Sequence, residues 1–561
     1  MKPTPKSQHW LAVLLLIVAS GTFGVLAFFE DRPTDTQIHL ATSALKDSQT
    51  GLFSADAVYG DSGKWHMDSP VVIGMMKLVL VPTGGEDPIL PFRLLTGVVA
   101  FIYLIGMYLL VFQQTRNWSI SVFIALVSSA ATELVPGLPW GAGALETTEP
   151  ALICIAMLPL ILLTYLRYEK TWQVVWVFAF IGLLANIHLS TAVNMLAVLW
   201  PVYLFRGRFS RRTLMLGGIA LVAAATLALP YVAYLAALRA TMPTAGADTG
   251  YKTAIAAMRL GGMDIFYPDL LHRLLEWRLL AALLAVGVPA VLVLGRWERY
   301  RVQNRSLWGG LIVSSAAVAL LVHPMCQLIA KSSTVAPMPF TFFDAMRLMV
   351  LPMAVLLGQA LTNVFRMGRY GPAFRVVILM VLLVWLFPSP NLRPARHRAL
   401  LAITELMPAE ERPPAVQRYG DRARRRVELK GIAGWLREES DINAVVLADN
   451  IRLRMLARRS TVICRDDLLY EYVLTPQDLK RWMVQVQEQL AVLYPTGQRA
   501  EGQMVRRYVL SLREGARFAK VTQWYLVTDQ EVDFPAEQGF REIPMPAHWR
   551  FYKLYQLELS D

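Results

Sequence analysis

The feature that most constrains this chain is the recurrence of long uncharged runs. From Trp10 to Pro388, apolar stretches of roughly 20 residues follow one another, each long enough to cross a hydrocarbon layer of ~30 Å. Lipid offers the backbone no hydrogen-bond partner, so such stretches can span only as helices. A soluble chain would carry about 25% charged residues; here the figure is 17%, and the charge is missing in blocks. The fold expected is therefore mainly α: a polytopic transmembrane bundle of about eleven spans, with a small C-terminal α/β domain outside it.

Spans are expected near residues 10–29, 91–113, 118–136, 149–166, 172–187, 190–205, 212–236, 277–294, 307–329, 343–363 and 373–388. The fifth and sixth are the hardest to divide, because the stretch around Asn186–Ser190 also reads as one bent helix. The first run follows Lys2 and Lys6 but is long for a signal-peptide core and has no convincing small-residue cleavage site, so it reads as a retained anchor. With the N-terminus in the cytoplasm, the loops left inside read QQTRN, RYEKT, RGRFSRR, GRWERYRVQNR and RMGRYGPAFR, all short and basic. That retention accounts for most of the formal charge of +13, so nucleic acid is not an expected partner. The lipid bilayer is one, and the bacterial cytoplasmic membrane is the expected location, with the C-terminal domain periplasmic. Cys154, Cys326 and Cys464 are too scattered to imply a disulfide framework or a zinc site.

Residues 1–388 thus form the transmembrane domain, with a first outer loop over 30–90 and a second outer segment over 238–276. A Pro/Arg-rich connector follows over 389–430, and a soluble domain over 431–561. In the latter, AVVLAD, STVIC and WYLVT read as buried strands, while 476–493 and 503–518 have helical periodicity. Neither a dinucleotide fingerprint nor a phosphate loop occurs there.

Polar chemistry concentrates in the first outer loop. Ile38, Ala41, Thr42 and Leu45 repeat at helical spacing opposite Gln37, Lys46 and Asp47, which predicts an amphipathic helix along the membrane interface, with Asp35 at or just before its start. A carboxylate there serves either as a helix cap or as a reactive group. Glu30, Asp31, Asp47, Asp56, Asp61 and Asp68 share the loop with His39 and His66. Farther on, Asn186 and His188 sit near the outer end of an apolar stretch, where idle polar groups are expensive. Arg347 stands beside Asp344 at a helix mouth, either as an interfacial anchor or as a phosphate contact. Glu146 and Glu149 flank the fourth span, and with Asp56 they offer hard oxygen ligands for a divalent cation. Glu133 reads as an interhelical hydrogen-bonding residue. Segment 238–276, with Lys252, Arg259 and Arg273, is either a mobile lid or a re-entrant stretch anchored by Tyr267 and Trp277. The run Arg422–Arg426 is either a contact for anionic headgroups or a solvated face.

An acid soon after the first span, an amphipathic helix, and then Asp68-Ser69-Pro70 leading into VVIGMMKL resemble the first loop of GT-C glycosyltransferases. These are polytopic enzymes that take sugars from polyprenyl-phosphate donors. The nearest resemblance is to a group of bacterial GT-C-like membrane proteins of unknown function. It is carried by the Leu-Phe-containing run from Asp47 to Asp56, by Asn186-Ile187-His188, and by MRLMVLPMAVLLG from Met346. The resemblance implies a sugar transfer to an envelope or lipid acceptor on the outer face. In it Asp35 is the general base, and His188, Asn186, Arg347, Arg259 and Lys331 contact the substrate and its phosphate. Asp56, Asp68, His66, Glu146 and Glu149 contact a divalent cation or the acceptor, and the C-terminal domain meets an envelope protein or glycan. Two other functions stay open: a non-catalytic assembly subunit, and a transporter or flippase of a lipid-linked substrate. Against transport stand the lack of an internal repeat and of paired broken helices.

Overall fold

The computed structural model describes residues 6–30, 32–60, 68–130, 140–240, 303–326, 342–366, 390–408, 412–467, 476–494, 502–528 and 539–558. Expectations for Asp31, Asp61, His66, Glu133, Lys252, Arg259, Arg273 and Lys331 lie outside these residues. So do almost all of segment 238–276 and the spans expected at 277–294 and 373–388.

The bundle begins with α1 (Lys6–Phe28), α2 (Asp35–Ser48), α3 (Pro70–Leu80), α4 (Leu90–Thr115) and α5 (Trp118–Ala130). It continues through α6 (Pro150–Tyr168), α7 (Val174–Leu184), α8 (Leu189–Arg206), α9 (Arg211–Ala240), α10 (Arg305–Ala317) and α11 (Val350–Arg366). Among the described residues, seven helical segments are long and apolar enough to cross a membrane: Lys6–Phe28, Leu90–Thr115, Pro150–Tyr168, Leu189–Arg206, Arg211–Leu238, Arg305–Cys326 and Phe342–Asn363. Segments 118–129 and 174–184 are apolar but shorter; at 1.5 Å per residue the eleven residues of α7 rise only about 16 Å. Large apolar side chains such as Trp10, Leu14, Leu183 and Val222 face outward, as lipid contact requires.

The stretch at 186–188 is a break between two helices. Asn186 supplies the reason: its Nδ2 donates to Leu183 O at 3.0 Å and to Leu227 O at 2.8 Å, tying the end of α7 to α9. Ser69 Oγ donates to the Asn186 carbonyl, which α7 leaves unbonded.

Beyond the bundle come α12 (Arg393–Leu406), α13 (Pro414–Glu439), β1 (Val445–Leu447), α14 (Ile451–Ala457), β2 (Ser460–Thr461), α15 (Pro476–Leu493), α16 (Gly502–Arg513), β3 (Trp524–Thr528), β4 (Phe540–Ile543) and β5 (Lys553–Leu557). The connector over 389–430 is thus largely helical, and α13 runs on into the domain. The sheet order is β2-β1-β3-β5-β4, with β1 parallel to β2 and β3, and β5 antiparallel to β3 and β4. All three strands expected from sequence are present, each with its residues buried.

The first loop departs from expectation in a way that shapes the rest of the molecule. Helix α2 forms where its periodicity predicts, but it does not lie open on an interface: every residue from Gln37 to Leu45 is buried. One apolar cluster joins Ile38, Ala41 and Ala44 to Phe92 and Leu145 of the bundle and to Ile451, Met455 and Cys464 of the domain. A helix covered all round needs polar groups only where partners wait. His39 shows this: its Nε2–H donates to Asp466 O at 2.8 Å, and its Nδ1 meets the Tyr59 hydroxyl at 2.9 Å.

Candidate functional site

The head of α2 is built by a capping box in which Thr34, not Asp35, is the cap. Thr34 Oγ1 accepts from Gln37 N at 3.3 Å, and Gln37 Oε1 accepts from Thr34 N at 3.1 Å. The Gln37 amide also donates to Leu145 O and, at 3.3 Å, to Thr148 Oγ1, which docks the first turn of α2 onto the chain entering α6. Asp35 is therefore released from capping, stays exposed, and is brought beside Glu149.

Glu149 precedes α6 without capping it. Burial raises its pKa, its side chain bonds Thr34, and Asp35, Asp344 and Arg347 all act on it electrostatically. Asp344 and Arg347 lie on a 3-10 turn over Phe342–Met349, where i and i+3 eclipse. They form a loose pair at 3.8 Å. Arg347 Nε is buried and has no acceptor, a costly state for a charged donor.

The same pair faces His188, the cap of α8. His188 Nδ1 accepts from Thr191 N at 3.2 Å and meets Thr191 Oγ1 at 2.8 Å. Burial pushes its pKa down to about 4, with Asp344 pulling it up and Arg347 down. The ring is neutral at pH 7, and since Nδ1 accepts a backbone N–H, the proton sits on Nε2 as a donor.

Four residues singled out in sequence thus form a chain at the junction of bundle and domain: Asp35 acts on Glu149, Arg347 acts on both Glu149 and His188, and Asp344 accompanies Arg347. Glu149, His188 and Arg347 are half-buried, so each keeps accessible surface. Chemically the junction offers an exposed carboxylate, a carboxyl whose pKa burial raises, a neutral imidazole N–H and a guanidinium with an unused N–H.

The other expected site residues go elsewhere. Asn186 is 7% exposed and its amide group is spent on backbone carbonyls, so it shapes the break that presents His188 and has no donor left for a substrate. Asp56 is not available as a metal ligand. Its Oδ1 accepts from Val58 N and Tyr59 N, and its Oδ2 from Thr461 N at 3.0 Å and Arg454 Nε at 2.8 Å. Glu146 pairs with Arg393 at 2.5 Å; burial raises its pKa to about 7 against that pull, in a separate cluster with Glu30 and Arg32. Asp68 accepts from Ser43 Oγ at 2.5 Å and borders a groove of about 620 Å³ beside α3 and Tyr234. Glu146, Glu149 and Asp56 are therefore parted among three networks. Among the described residues no group of three or more His, Cys, Asp or Glu is placed to hold a metal ion.

The sequence reading missed the domain's share of the junction. Asp466 is within reach of Asp35, Asp449 and Asp467, and together with its burial they raise its pKa to about 6. Arg452, at the start of α14, faces Asp35 and donates to Pro33 O at 3.4 Å. Asp449 and Asp466 follow the carboxyl ends of parallel strands β1 and β2, the edge where open α/β sheets place ligands. The available signal was an acid directly after each buried strand, in AVVLAD and in STVICRDD.

No family model matches the chain, and no curated protein matches it significantly in sequence.

Proposed function

We propose that the chain is an integral membrane glycosyltransferase of GT-C-like type, with about eleven spans in the bacterial cytoplasmic membrane and its C-terminal domain on the outer face. It moves a sugar from a polyprenyl-phosphate donor to an envelope or lipid acceptor. The observation that carries this reading is the convergence of Asp35, Glu149, His188 and Arg347 from four distant segments. In the reaction, Asp35 takes the proton of the acceptor hydroxyl as that oxygen bonds to the sugar's anomeric carbon. The bond from that carbon to the donor phosphate breaks, and the lipid phosphate leaves with the electron pair. The half-buried Arg347 guanidinium and the His188 Nε2–H stabilise the departing charge. Glu149, whose pKa burial raises, stands at the same centre.

Orientation has its own support. Arg116, Arg167, Lys170, Arg206, Arg208, Arg211 and Arg212 gather at the helix ends and turns away from the domain, as short cytoplasmic loops would. The test is labelling with a photoreactive polyprenyl-phosphate sugar, followed by peptide mapping. Labels competed by excess donor should fall within 145–150, 186–192 and 342–350 and be lost in Arg347→Met. Labelling insensitive to that change, or confined to other segments, would overturn the assignment.

A further inference from the structure

At the end of the bundle away from the domain, the ends of α6 and α8 and the starts of α9 and α10 line a pocket of about 310 Å³. Its wall is polar and cationic. Arg206 is held by Glu169 through Nε and Nη2, at 2.9 and 2.8 Å, and donates Nη1 to Ser306 Oγ at 2.8 Å. Lys170 and Arg212 also line the pocket, so three cations face one acid. Tyr165 is 0% exposed and lines the same pocket; Arg206 stands within hydrogen-bonding reach of its hydroxyl, whose own proton has no acceptor. A buried, unanswered O–H beside fixed positive charge calls for an anionic acceptor. Helix α9 adds the positive end of a 30-residue dipole, since Arg212 and Thr213 belong to its first turn.

The turn that closes the pocket is built for it. Gly207 lies so close to Thr213 that a Cβ there would fall 2.3 Å from Thr213 Oγ1. Arg208 and Phe209 both take left-handed backbone, at φ 51°, which for non-glycine residues is held only by strong local constraint. The result turns Phe209 outward, 56% exposed, next to Phe205 at 65%. Exposed aromatic rings beside a cationic pocket suit the boundary between acyl chains and headgroups.

The geometry points to a binding site for the phosphate of an anionic lipid in the leaflet opposite the C-terminal domain. The phosphate accepts from the Tyr165 hydroxyl, Arg206, Lys170 and Arg212, while Phe205 and Phe209 rest against its acyl chains. The site is separate from the junction proposed above and does not depend on the reaction assigned there.

The test uses the full chain, purified in mild detergent, delipidated, and analysed by native mass spectrometry with added phosphatidylglycerol, phosphatidylcholine or inorganic phosphate. Phosphatidylglycerol should be retained in preference to phosphatidylcholine. The Lys170→Ala/Arg212→Ala double variant should weaken retention about thirtyfold, as loss of two surface cations implies. Tyr165→Phe should weaken it severalfold with both cations in place. Arg422→Ala/Arg425→Ala, which removes two exposed arginines from α13, should leave it unchanged. Equal retention of phosphatidylcholine, an unaffected pocket variant, or competition by millimolar inorganic phosphate as effective as by lipid would overturn the proposal.

Discussion

The most consequential contact outside the junction is the buried triad that fastens the first loop to the C-terminal domain. Arg454 forks onto Asp467 at 2.5 and 2.8 Å and reaches Asp56 Oδ2 with Nε at 2.8 Å. The Arg454 side chain is 1% exposed and both carboxylates are 0%. Burial alone would raise the Asp467 pKa, but Arg454 overcomes it and holds the carboxyl below its usual range. Replacing Arg454 with Met keeps the bulk and strands two buried anions. Breaking a buried pair in this way costs about 3–5 kcal/mol, or roughly two to three and a half orders of magnitude in an opening equilibrium. The reporters are the amides that Asp56 secures, Val58, Tyr59 and Thr461. Their hydrogen exchange in detergent should accelerate by about that factor, up to the limit set by global unfolding. Asp56→Asn leaves the fork to Asp467 intact and isolates the loop's share. Arg465→Met is the control. Its 2.6 Å pair with Asp449 has the arginine 50% exposed, so its loss should cost under about 1 kcal/mol. Unchanged exchange at 52–60 in both Arg454→Met and Asp56→Asn would refute the claim that the triad holds the loop.

Two further outcomes follow from the junction's electrostatics. Glu149→Gln keeps the size of a side chain whose ionisation burial disfavours; the variant should fold and accumulate normally yet lose at least about a hundredfold in donor turnover, the lower range for a positioned acid. Full turnover in that variant would remove Glu149 from the site. Asp466 has its pKa raised to about 6 by burial and by Asp35, Asp449 and Asp467, whereas the unfolded chain releases that proton near about 3.9. Between those values the folded state holds the extra proton, so this residue's contribution to stability falls as pH rises from about 4 to about 6 and is level above. Thermal midpoints across that window should therefore fall less steeply in Asp466→Asn than in wild type; parallel curves would show that the repulsion is absent.

What could be read from the sequence divides along physical lines. Among the described residues, apolar length located the expected long helices within a few residues, because span length is imposed by the solvent. It did less well at α7, whose end is set by the Asn186 amide reaching a carbonyl on α9. Short continuous apolar runs located β1, β2 and β3, which are buried throughout. Periodicity found α2 but misjudged its surroundings: Gln37 reads as part of a polar face with Lys46 and Asp47, yet it is buried, and so are His39 and Ser43. Their partners, such as Leu145, Asp466 and Asp68, lie in other segments. For the same reason Asp35 and Asp56 looked alike in sequence, although one is exposed and freed by Thr34 while the other is consumed by Arg454. Asp35, His188, Arg347 and Glu149 were recognisable as polar groups at the ends of apolar runs. That they meet, and that Asp466 and Arg452 join them, depends on tertiary packing of the domain against the loop.

The account stands or falls on turnover of polyprenyl-phosphate sugars by the reconstituted full chain, comparing wild type with Asp35→Asn at equal amounts of folded protein. It predicts transfer of label to a lipid or envelope acceptor by wild type and a loss of at least about a hundredfold in the variant. Equal transfer by both proteins, or none by wild type across a panel of such donors, would contradict it.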